Sequence, residues 1–237
     1  MSSFQKPHNI CWVDVETTGL DAHRDSLLEI AVLITDHELN ILDEAGFQAV
    51  VRHTLTEVGY LMSNAVPFVQ DMHHKTGLWG RLSGPDALYL PEIDLDLSIY
   101  LARFGDAKTM PIAGNSVALD QNFITSYLPR VSRFLDYHMR DVSSVAGMVF
   151  DWYDFPWYDK ANDHTAMTDI RESIKELKHY REIAFKSQAD LETDLRIAKA
   201  LEACHKMLDV KVAGSTEGET AMAAAGAVIK RILEGRD

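Results

Sequence analysis

Residues 9–16 read NICWVDVE, an apolar segment with β-branched residues that ends in carboxylates. This pattern predicts a buried strand. After a loop at 17–25, the segment SLLEIAVLITD at 26–36 predicts a second strand. A turn at 37–45 leads into a third strand, which continues through FQAVVRHT at 47–54. Three successive strands indicate an antiparallel meander that opens a mixed sheet.

Helices and two further short strands are predicted to follow the meander. PIAGN at 111–115 predicts a strand, and FLDYHMRDVSSV at 134–145 predicts a strand that passes into a loop. The aromatic segment at 151–159 is expected to pack on the core as a loop, with a stacking platform as the alternative. Helices are predicted at 66–82 with a break near Gly77, at 118–129 with a stop at Pro129, and at 164–185. At 91–105 the hydrophobic spacing mixes both periods, and the length of the segment and Gly105 after it favour a helix. The alternation predicts an α/β fold, with a mixed sheet flanked by helices.

The carboxyl-terminal part of the chain changes in composition. An acidic helix, a polar GSTEGE break and an alanine-rich helix are expected there. This part carries none of the residues to which chemistry is assigned below. The predicted organisation is one domain over residues 1–186 and an appended helical tail over residues 187–237.

The composition is that of a globular protein, with 46% hydrophobic and 25% charged residues among 237. It excludes collagen-like and wholly disordered chains. The two cysteines, Cys11 and Cys204, are too few for a disulfide scaffold. The amino-terminal residues show no apolar leader, and no apolar run approaches the roughly 20 residues that span a bilayer. We therefore expect a soluble cytoplasmic protein with no membrane partner.

The charge balance is strongly acidic. Asp and Glu number 36 against 23 Lys and Arg, which gives a net charge of -13. Proteins that hold long nucleic acids usually carry a basic stripe, because phosphate contacts drive their affinity. This sequence has no such stripe. Either the substrate is not a polyanion, or it is short and held through metal ions.

Two carboxylates, Asp14 and Glu16, end the first predicted strand. Side chains two residues apart on a strand share a face, so these carboxylates repel each other. A divalent cation such as Mg²⁺ or Mn²⁺ would remove that repulsion. A solvated strand end is the alternative. Gly19 favours a site, because glycine permits a tight turn beside a ligand.

Two other segments carry candidate residues. Asp120 lies just inside the helix that follows GNSVALD, where a favourable contact with the helix dipole is the alternative explanation. His164 is expected at a loop edge and Asp169 one turn inside the last strong helix. A histidine beside a metal-binding carboxylate can act as general base for water.

The order of these five residues resembles the DEDDh group of 3′–5′ exonucleases, which share a ribonuclease H-like fold. Within that group, the resemblance to oligoribonucleases is closest and covers residues 8–185. Three segments carry it: CWVDVETTGLD, PIAGNSVALDQNFI and HTAMTDIRESIKELKHYRE. The resemblance implies an exoribonuclease that hydrolyses short oligoribonucleotides, especially dinucleotides, to 5′-mononucleotides.

The resemblance also implies a role for each of the five residues. Two divalent cations, Mg²⁺ or Mn²⁺, would clamp the attacking and leaving oxygens. Asp14 would bridge both cations, Glu16 and Asp169 would complete one site, and Asp120 would hold the second cation or its waters. His164 would accept the proton of the attacking water.

Substrate contacts carry over from the family in the same way. Leu20 matches an apolar wedge beneath the terminal bases, with an ordinary core leucine as the alternative. His73 matches a substrate-contacting histidine. Phe68 stands where relatives have a tryptophan, and any aromatic face can stack a base.

The family further caps the 5′-phosphate of its substrate, partly from the neighbouring subunit of a homodimer. Ser116, Ser143 and Ser144 match hydroxyl donors of the cap, and Tyr137 matches the aromatic residue donated across the dimer. His138 stands where relatives tend to have arginine, a permanent bidentate donor. We therefore expect a weaker or pH-dependent cap, unless Arg140 substitutes.

Two other functions remain as alternatives. A proofreading or trimming exonuclease would act on longer DNA or RNA ends, and the missing basic stripe counts against it. A catalytically silent nucleic-acid-binding or scaffold domain could share the fold. The presence of all five acidic and histidine residues counts against that function.

Overall fold

A five-stranded mixed sheet forms the core of the protein. The computed structural model describes residues 8–153, 157–159 and 165–212, together with residues 226 and 230. In chain order, the strands are β1 (Ile10–Thr17), β2 (Leu27–Thr35), β3 (Phe47–Val50), β4 (Ile112–Gly114) and β5 (Met139–Asp141). Their spatial order is β3-β2-β1-β4-β5.

Helices follow the strand meander and separate the remaining strands. Within the described residues, they are α1 (Leu55–Asn64), α2 (Pro67–Lys75), α3 (Leu78–Arg81), α4 (Leu90–Ala102), α5 (Ala118–Tyr127), α6 (Pro129–Phe134), α7 (Val142–Tyr153), α8 (Ala166–Ala184) and α9 (Gln188–Val212). Gly77 adopts a left-handed conformation with φ of 70° and separates α2 from α3. The predicted break near this glycine is therefore confirmed.

The strand directions confirm the predicted α/β class. β1 pairs antiparallel with β2, and β2 pairs antiparallel with β3, as expected of a meander. β1 pairs parallel with β4, and β4 pairs parallel with β5. Strand β1 therefore lies at the centre of a mixed sheet, with neighbours on both sides.

The alternation of side chains along β1 divides the core into two layers. Cys11 and Val13 point to the face where α4, α5 and α6 pack. Trp12 points to the opposite face, where it packs with Val142 of α7 and Ile170 of α8. Because the side-chain period of a strand is two residues, Asp14 and Glu16 lie on the Trp12 face, which α8 covers. The fold thus directs both carboxylates toward that helix.

The predicted loop at the end of segment 134–145 is wrong. Helix α7 begins at Val142, directly after β5. Val142, Ala146 and Val149 are buried at helical spacing, so burial of this stripe favours a helix. The hydroxyl of Ser144 in the first turn donates to the carboxylate of Asp141 at 2.5 Å.

Pro129 begins a helix, α6, in addition to following the end of α5.

The two tryptophans of the aromatic segment at 151–159 do not pack on the core as predicted. Residues 151–153 belong to α7, and Trp152 is 69% exposed. Trp157 is 57% exposed, and its ring stacks on Phe150 with centroids 5.6 Å apart. Residues 154–156 lie outside the described residues.

The chain divides into two compact units, residues 1–180 and residues 181–237. The first contains the sheet, α1–α7 and α8 as far as Tyr180. In the second, the hydroxyl of Ser187 accepts the N–H of Asp190 at 3.1 Å in the first turn of α9. Helix α9 includes the residues of the predicted acidic helix. Most of the predicted alanine-rich helix lies outside the described residues. No helix in the described part of the chain is long and apolar enough to cross a membrane.

Candidate active site

Three carboxylates from two elements meet at one end of the sheet. Asp14 and Glu16 come from β1, and Asp169 comes from the first turn of α8. Each offers one oxygen, and these oxygens all lie within 4.8 Å of one another. At this spacing, one small cation placed between the three oxygens can bind all of them.

Asp120 lies beside this cluster, in the first turn of α5. Its Oδ1 accepts the backbone N–H of Val15 at 2.9 Å. Val15 stands between Asp14 and Glu16, so the bond attaches the start of α5 to the part of β1 that carries both carboxylates. Asp120 is only 5% exposed.

Burial and mutual repulsion disfavour the ionised form of these groups. Burial, followed by the charges of Asp120, Glu16 and Asp169, raises the pKa of Asp14 well above its usual range. Burial, with repulsion by Glu29 and Asp169, raises the pKa of Glu16 to about 8. Burial raises the pKa of Asp120 to about 7, although its bond from Val15 opposes the shift. A divalent cation would offset the repulsion, so the oxygen donors fit such an ion.

A fifth acidic residue lies behind the cluster and was not singled out from the sequence. Glu29 pairs with Glu16 across β1 and β2 and is 1% exposed. The guanidinium of Arg81 donates to both carboxylate oxygens of Glu29, at 2.8 and 2.6 Å, and Gln48 donates at 2.7 Å. A buried charge needs such partners. The signal in the sequence is a single glutamate inside the otherwise apolar strand β2.

The turn after β1 is built tightly around the carboxylate of Asp25. A Cβ added to Gly19 would lie 2.5 Å from Asp25 Oδ2, so a larger residue would have to displace this carboxylate. Asp25 also accepts the N–H of Asp21 at 2.9 Å, and Thr17 donates to the carbonyl of Gly19 at 2.6 Å. Leu20, which follows the glycine, is 79% exposed. Its side chain is therefore not part of the core.

Helix α2 places its two predicted substrate residues differently. Phe68 in the first turn is 72% exposed, which leaves its ring accessible. His73 in the last turn is 1% exposed, and its Nε2 lies 2.9 Å from the carbonyl oxygen of Thr17. Its Nδ1 lies 3.8 Å from Glu16 Oε2. Burial lowers the pKa of His73. In this conformation His73 ties α2 to the end of β1, and its contact with substrate stays a prediction.

The three predicted cap serines gather around Asp141. The backbone N–H of Ser116 donates to Asp141 Oδ1 at 2.8 Å and to the hydroxyl of Ser143 at 3.1 Å. Ser144 donates to the other oxygen of Asp141. Ser116 has a positive φ of 52°, a conformation that non-glycine residues adopt rarely. Asp141, which bonds to Ser116 and Ser144, was not singled out from the sequence.

The residues next to the cap are exposed. Tyr137 is 77% exposed. The Nδ1 atom of His138 pairs with Asp136, and the guanidinium of Arg140 lies 3.3 Å from the carbonyl oxygen of Met139. Neither basic side chain is directed by these contacts toward the serines.

Comparison with known proteins identifies the family of this chain. The profile of the Exonuclease family matches residues 11–80. An oligoribonuclease from Leifsonia xyli subsp. xyli is 37% identical over 180 residues, covering 74% of this chain and 84% of that protein. The chain belongs to the oligoribonuclease family. An oligoribonuclease from Dichelobacter nodosus is 34% identical over 180 residues, covering 76% of this chain and 97% of that protein.

A solved structure supports the fold of this oligoribonuclease-family chain. An exonuclease I from Methylocaldum szegediense matches with a TM-score of 0.56 at 16% identity. The match covers 76% of this chain and 41% of that longer one. The predicted ribonuclease H-like fold, with a mixed sheet and flanking helices, is thereby confirmed.

The structure brings together most of the candidate residues of this oligoribonuclease-family chain. Asp14, Glu16 and Asp169 form one cluster, and Asp120 is bonded to the strand between two of them. His164 lies outside the described residues. Exonucleases of this family depend on divalent metal ions, and the cluster fits that requirement. The individual role of each residue stays a prediction.

The stability of the metal-free protein is expected to fall as pH rises. A carboxyl whose pKa is raised on folding holds its proton in the folded state and loses that advantage as pH passes its folded pKa. For Glu16 this window extends up to about 8. Between about pH 5 and pH 8.5 in EDTA, we expect the melting temperature to fall by about 5 °C or more.

Thermal unfolding with and without Mn²⁺ measures this effect. Added Mn²⁺ is expected to raise the melting temperature more at the higher pH, because metal ligands must be deprotonated. The variant Glu16→Gln should show a smaller fall in EDTA. A melting temperature that is independent of pH in EDTA would contradict the prediction.

Proposed function

We propose that this protein is a 3′–5′ exoribonuclease that hydrolyses short oligoribonucleotides, above all dinucleotides, to 5′-mononucleotides. Membership of the oligoribonuclease family supports this activity. The observation that carries it is the cluster of Asp14, Glu16 and Asp169, with oxygens within 4.8 Å of one another, beside the anchored Asp120. The cluster provides the negative charge that a divalent-metal phosphodiesterase requires.

The acidic residues would hold two divalent cations, Mg²⁺ or Mn²⁺. Asp14 would bridge the two, Glu16 and Asp169 would complete one site, and Asp120 would serve the other. When bound, the cations stabilise the developing charge on the attacking and leaving oxygens of the phosphodiester. His164 accepts the proton from the attacking water.

Exposed apolar side chains hold the bases of the substrate. Leu20 is 79% exposed at the turn after β1, and Phe68 is 72% exposed on α2. Leu20 acts as a wedge beneath the bases and Phe68 stacks on one of them, which contributes about 1–3 kcal/mol per stacked base. His73 contacts the substrate at the same end of the site once its ring, which is buried in this conformation, becomes accessible.

The cluster of serines limits the length of the substrate. Ser116, Ser143 and Ser144 bind the 5′-phosphate. Asp141 bonds to Ser116 and Ser144, and Ser143 accepts the backbone N–H of Ser116, which keeps the three serines together. Tyr137 closes this end from the partner in a homodimer. His138 supplies a contact in place of arginine that is weaker or pH-dependent, unless Arg140 substitutes for it. A longer chain would have to pass this cap.

The net charge of -13 favours the same substrates. Repulsion grows with each phosphate that lies away from the cations, whereas a dinucleotide has a single internal phosphate that the cations neutralise. We assign this activity to residues 1–186, in the cytoplasm, and treat residues 187–237 as a helical extension.

Competition between short and long RNA tests the proposal. We expect 5′-phosphorylated RNAs of two to five residues to be cut fastest in Mn²⁺. An excess of unlabelled RNA of about twenty residues should inhibit cleavage of a labelled dinucleotide only weakly, since phosphate contacts drive long-chain affinity. Excess unlabelled dinucleotide is the control and should inhibit strongly.

Each other outcome identifies an alternative. Strong inhibition by the long RNA, with cleavage of it, would mean an open groove and favour a trimming exonuclease. Binding of dinucleotide without cleavage in either Mg²⁺ or Mn²⁺ would favour a catalytically silent domain.

A further inference from the structure

A continuous path of hydrogen bonds connects the predicted cap with helix α8 through the side chain of Asn115. The hydroxyl of Ser143 donates to Asn115 Oδ1 at 2.9 Å. Asn115 Nδ2 donates to the hydroxyl of Ser173 at 2.7 Å and to Glu176 Oε2 at 3.0 Å. Ser173 in turn donates to the carbonyl oxygen of Asp169 at 2.8 Å. One carboxamide therefore lies between a cap serine and the backbone of a metal-site residue.

The chemistry of this position suits asparagine specifically. A carboxamide accepts through its oxygen and donates twice through its nitrogen, and Asn115 uses both capacities. Aspartate would keep the acceptor but lose the donors, and it would place a second carboxylate against Glu176. Ser173 and Glu176 are 5% and 3% exposed, so water cannot easily replace the lost bonds.

The position of Asn115 in the chain joins three elements. It follows β4 directly and precedes Ser116, whose positive φ is held by bonds to Asp141 and Ser143. Ser143 lies on α7, and Ser173 lies on α8 four residues after Asp169. A strained backbone at a predicted phosphate site indicates a conformation maintained by its surroundings.

We propose that Asn115 is a positioning residue that sets the separation between the 5′-phosphate cap and the metal-binding carboxylates. This inference rests on the proposed function, and it assigns the preference for 5′-phosphorylated dinucleotides to that separation. A dinucleotide spans the site only if both ends are held at matching positions. Loss of the Asn115 bonds lets the cap move relative to α8. Even a small displacement of a group that positions the substrate lowers the rate of reaction.

The test compares dinucleotides with and without a 5′-phosphate. In Asn115→Ala, we expect the ratio of kcat/KM for the phosphorylated over the unphosphorylated dinucleotide to fall by about tenfold or more. The unphosphorylated dinucleotide, which does not use the cap, should lose less than about threefold. Asn115→Asp should change the ratio in the same direction, because it lacks the donors to Ser173 and Glu176.

Asn40→Ala is the matched control. Asn40 also carries a bonded carboxamide, which donates to Asp36 Oδ2 at 3.0 Å in the turn after β2. This turn lies at the end of β1 opposite Glu16, since Ile10 pairs with Thr35. The ratio should be unchanged in this variant.

Two results would contradict this inference and leave the proposed function intact. One is an equal loss on both dinucleotides in Asn115→Ala, which would make Asn115 merely structural. The other, decisive if Asn115→Ala does not fold, is an unchanged ratio in Ser173→Ala, which removes a single hydroxyl from the path. A wild-type protein that cleaves neither dinucleotide would instead overturn the proposed function.

Discussion

Asp14→Asn is expected to lower hydrolysis of a dinucleotide by at least about a hundredfold, the scale on which loss of one preorganised electrostatic group acts. The carboxamide keeps the size of the side chain but removes the charge that would balance two cations. Burial, followed by the charges of Asp120, Glu16 and Asp169, opposes the ionised form of Asp14, so this residue has most to gain from bound cations. Rates with Mn²⁺ in excess measure the loss.

The Asp14→Asn variant should keep the wild-type fold. Because a repelling carboxylate is removed, the melting temperature in EDTA should equal or exceed that of the wild type. Asp96→Asn, which changes an exposed carboxylate on α4, is the control and should retain full activity. More than a tenth of wild-type activity in Asp14→Asn would contradict the two-metal assignment.

His164→Ala is expected to lower turnover by about 10²–10⁴-fold, the usual contribution of a general base. Metal binding should be little changed, because the proposed role of His164 is to accept a proton and the proposed metal ligands are carboxylates. A higher pH should partly restore the activity of the variant, since hydroxide replaces the lost base. The pH dependence of kcat, together with the Mn²⁺-induced rise in melting temperature, separates loss of the base from loss of the metal.

His37→Ala serves as the matched control for this histidine. His37 lies in the turn after β2, and 52% of its side chain is exposed. Its removal should leave both turnover and its pH dependence unchanged. A His164→Ala protein as active as the wild type would exclude the general-base role.

Local patterns predicted the elements that carry the acidic residues. The apolar segment before Asp14 and Glu16 predicted β1, and the helical spacing after Asp169 predicted α8. Local patterns failed where packing decided the conformation. Residues 142–145 were predicted as a loop, but burial of Val142, with Ala146 and Val149 beyond it, makes them the start of α7.

The predicted substrate-binding residues also differ in how far their positions could be predicted from the sequence. Exposure of Leu20 and Phe68 agrees with contact to a ligand, and exposure of Leu20 excludes the alternative of a core leucine. His73 is buried against the carbonyl of Thr17, a contact across 56 positions of the sequence that no local pattern predicts. Its position could be known only from the packing of α2 on the end of β1.

The sequence by itself determined the family, the mixed sheet and the order of the acidic residues, because each depends on short segments whose spacing is set by strand and helix geometry. Only the tertiary structure decided which of these segments meet. The bonds from Asn115 to Ser143 and Ser173, and from Arg81 to Glu29, join positions 28, 58 and 52 residues apart. Such contacts depend on how the helices pack on the sheet, and the periodicity of short segments does not predict that packing.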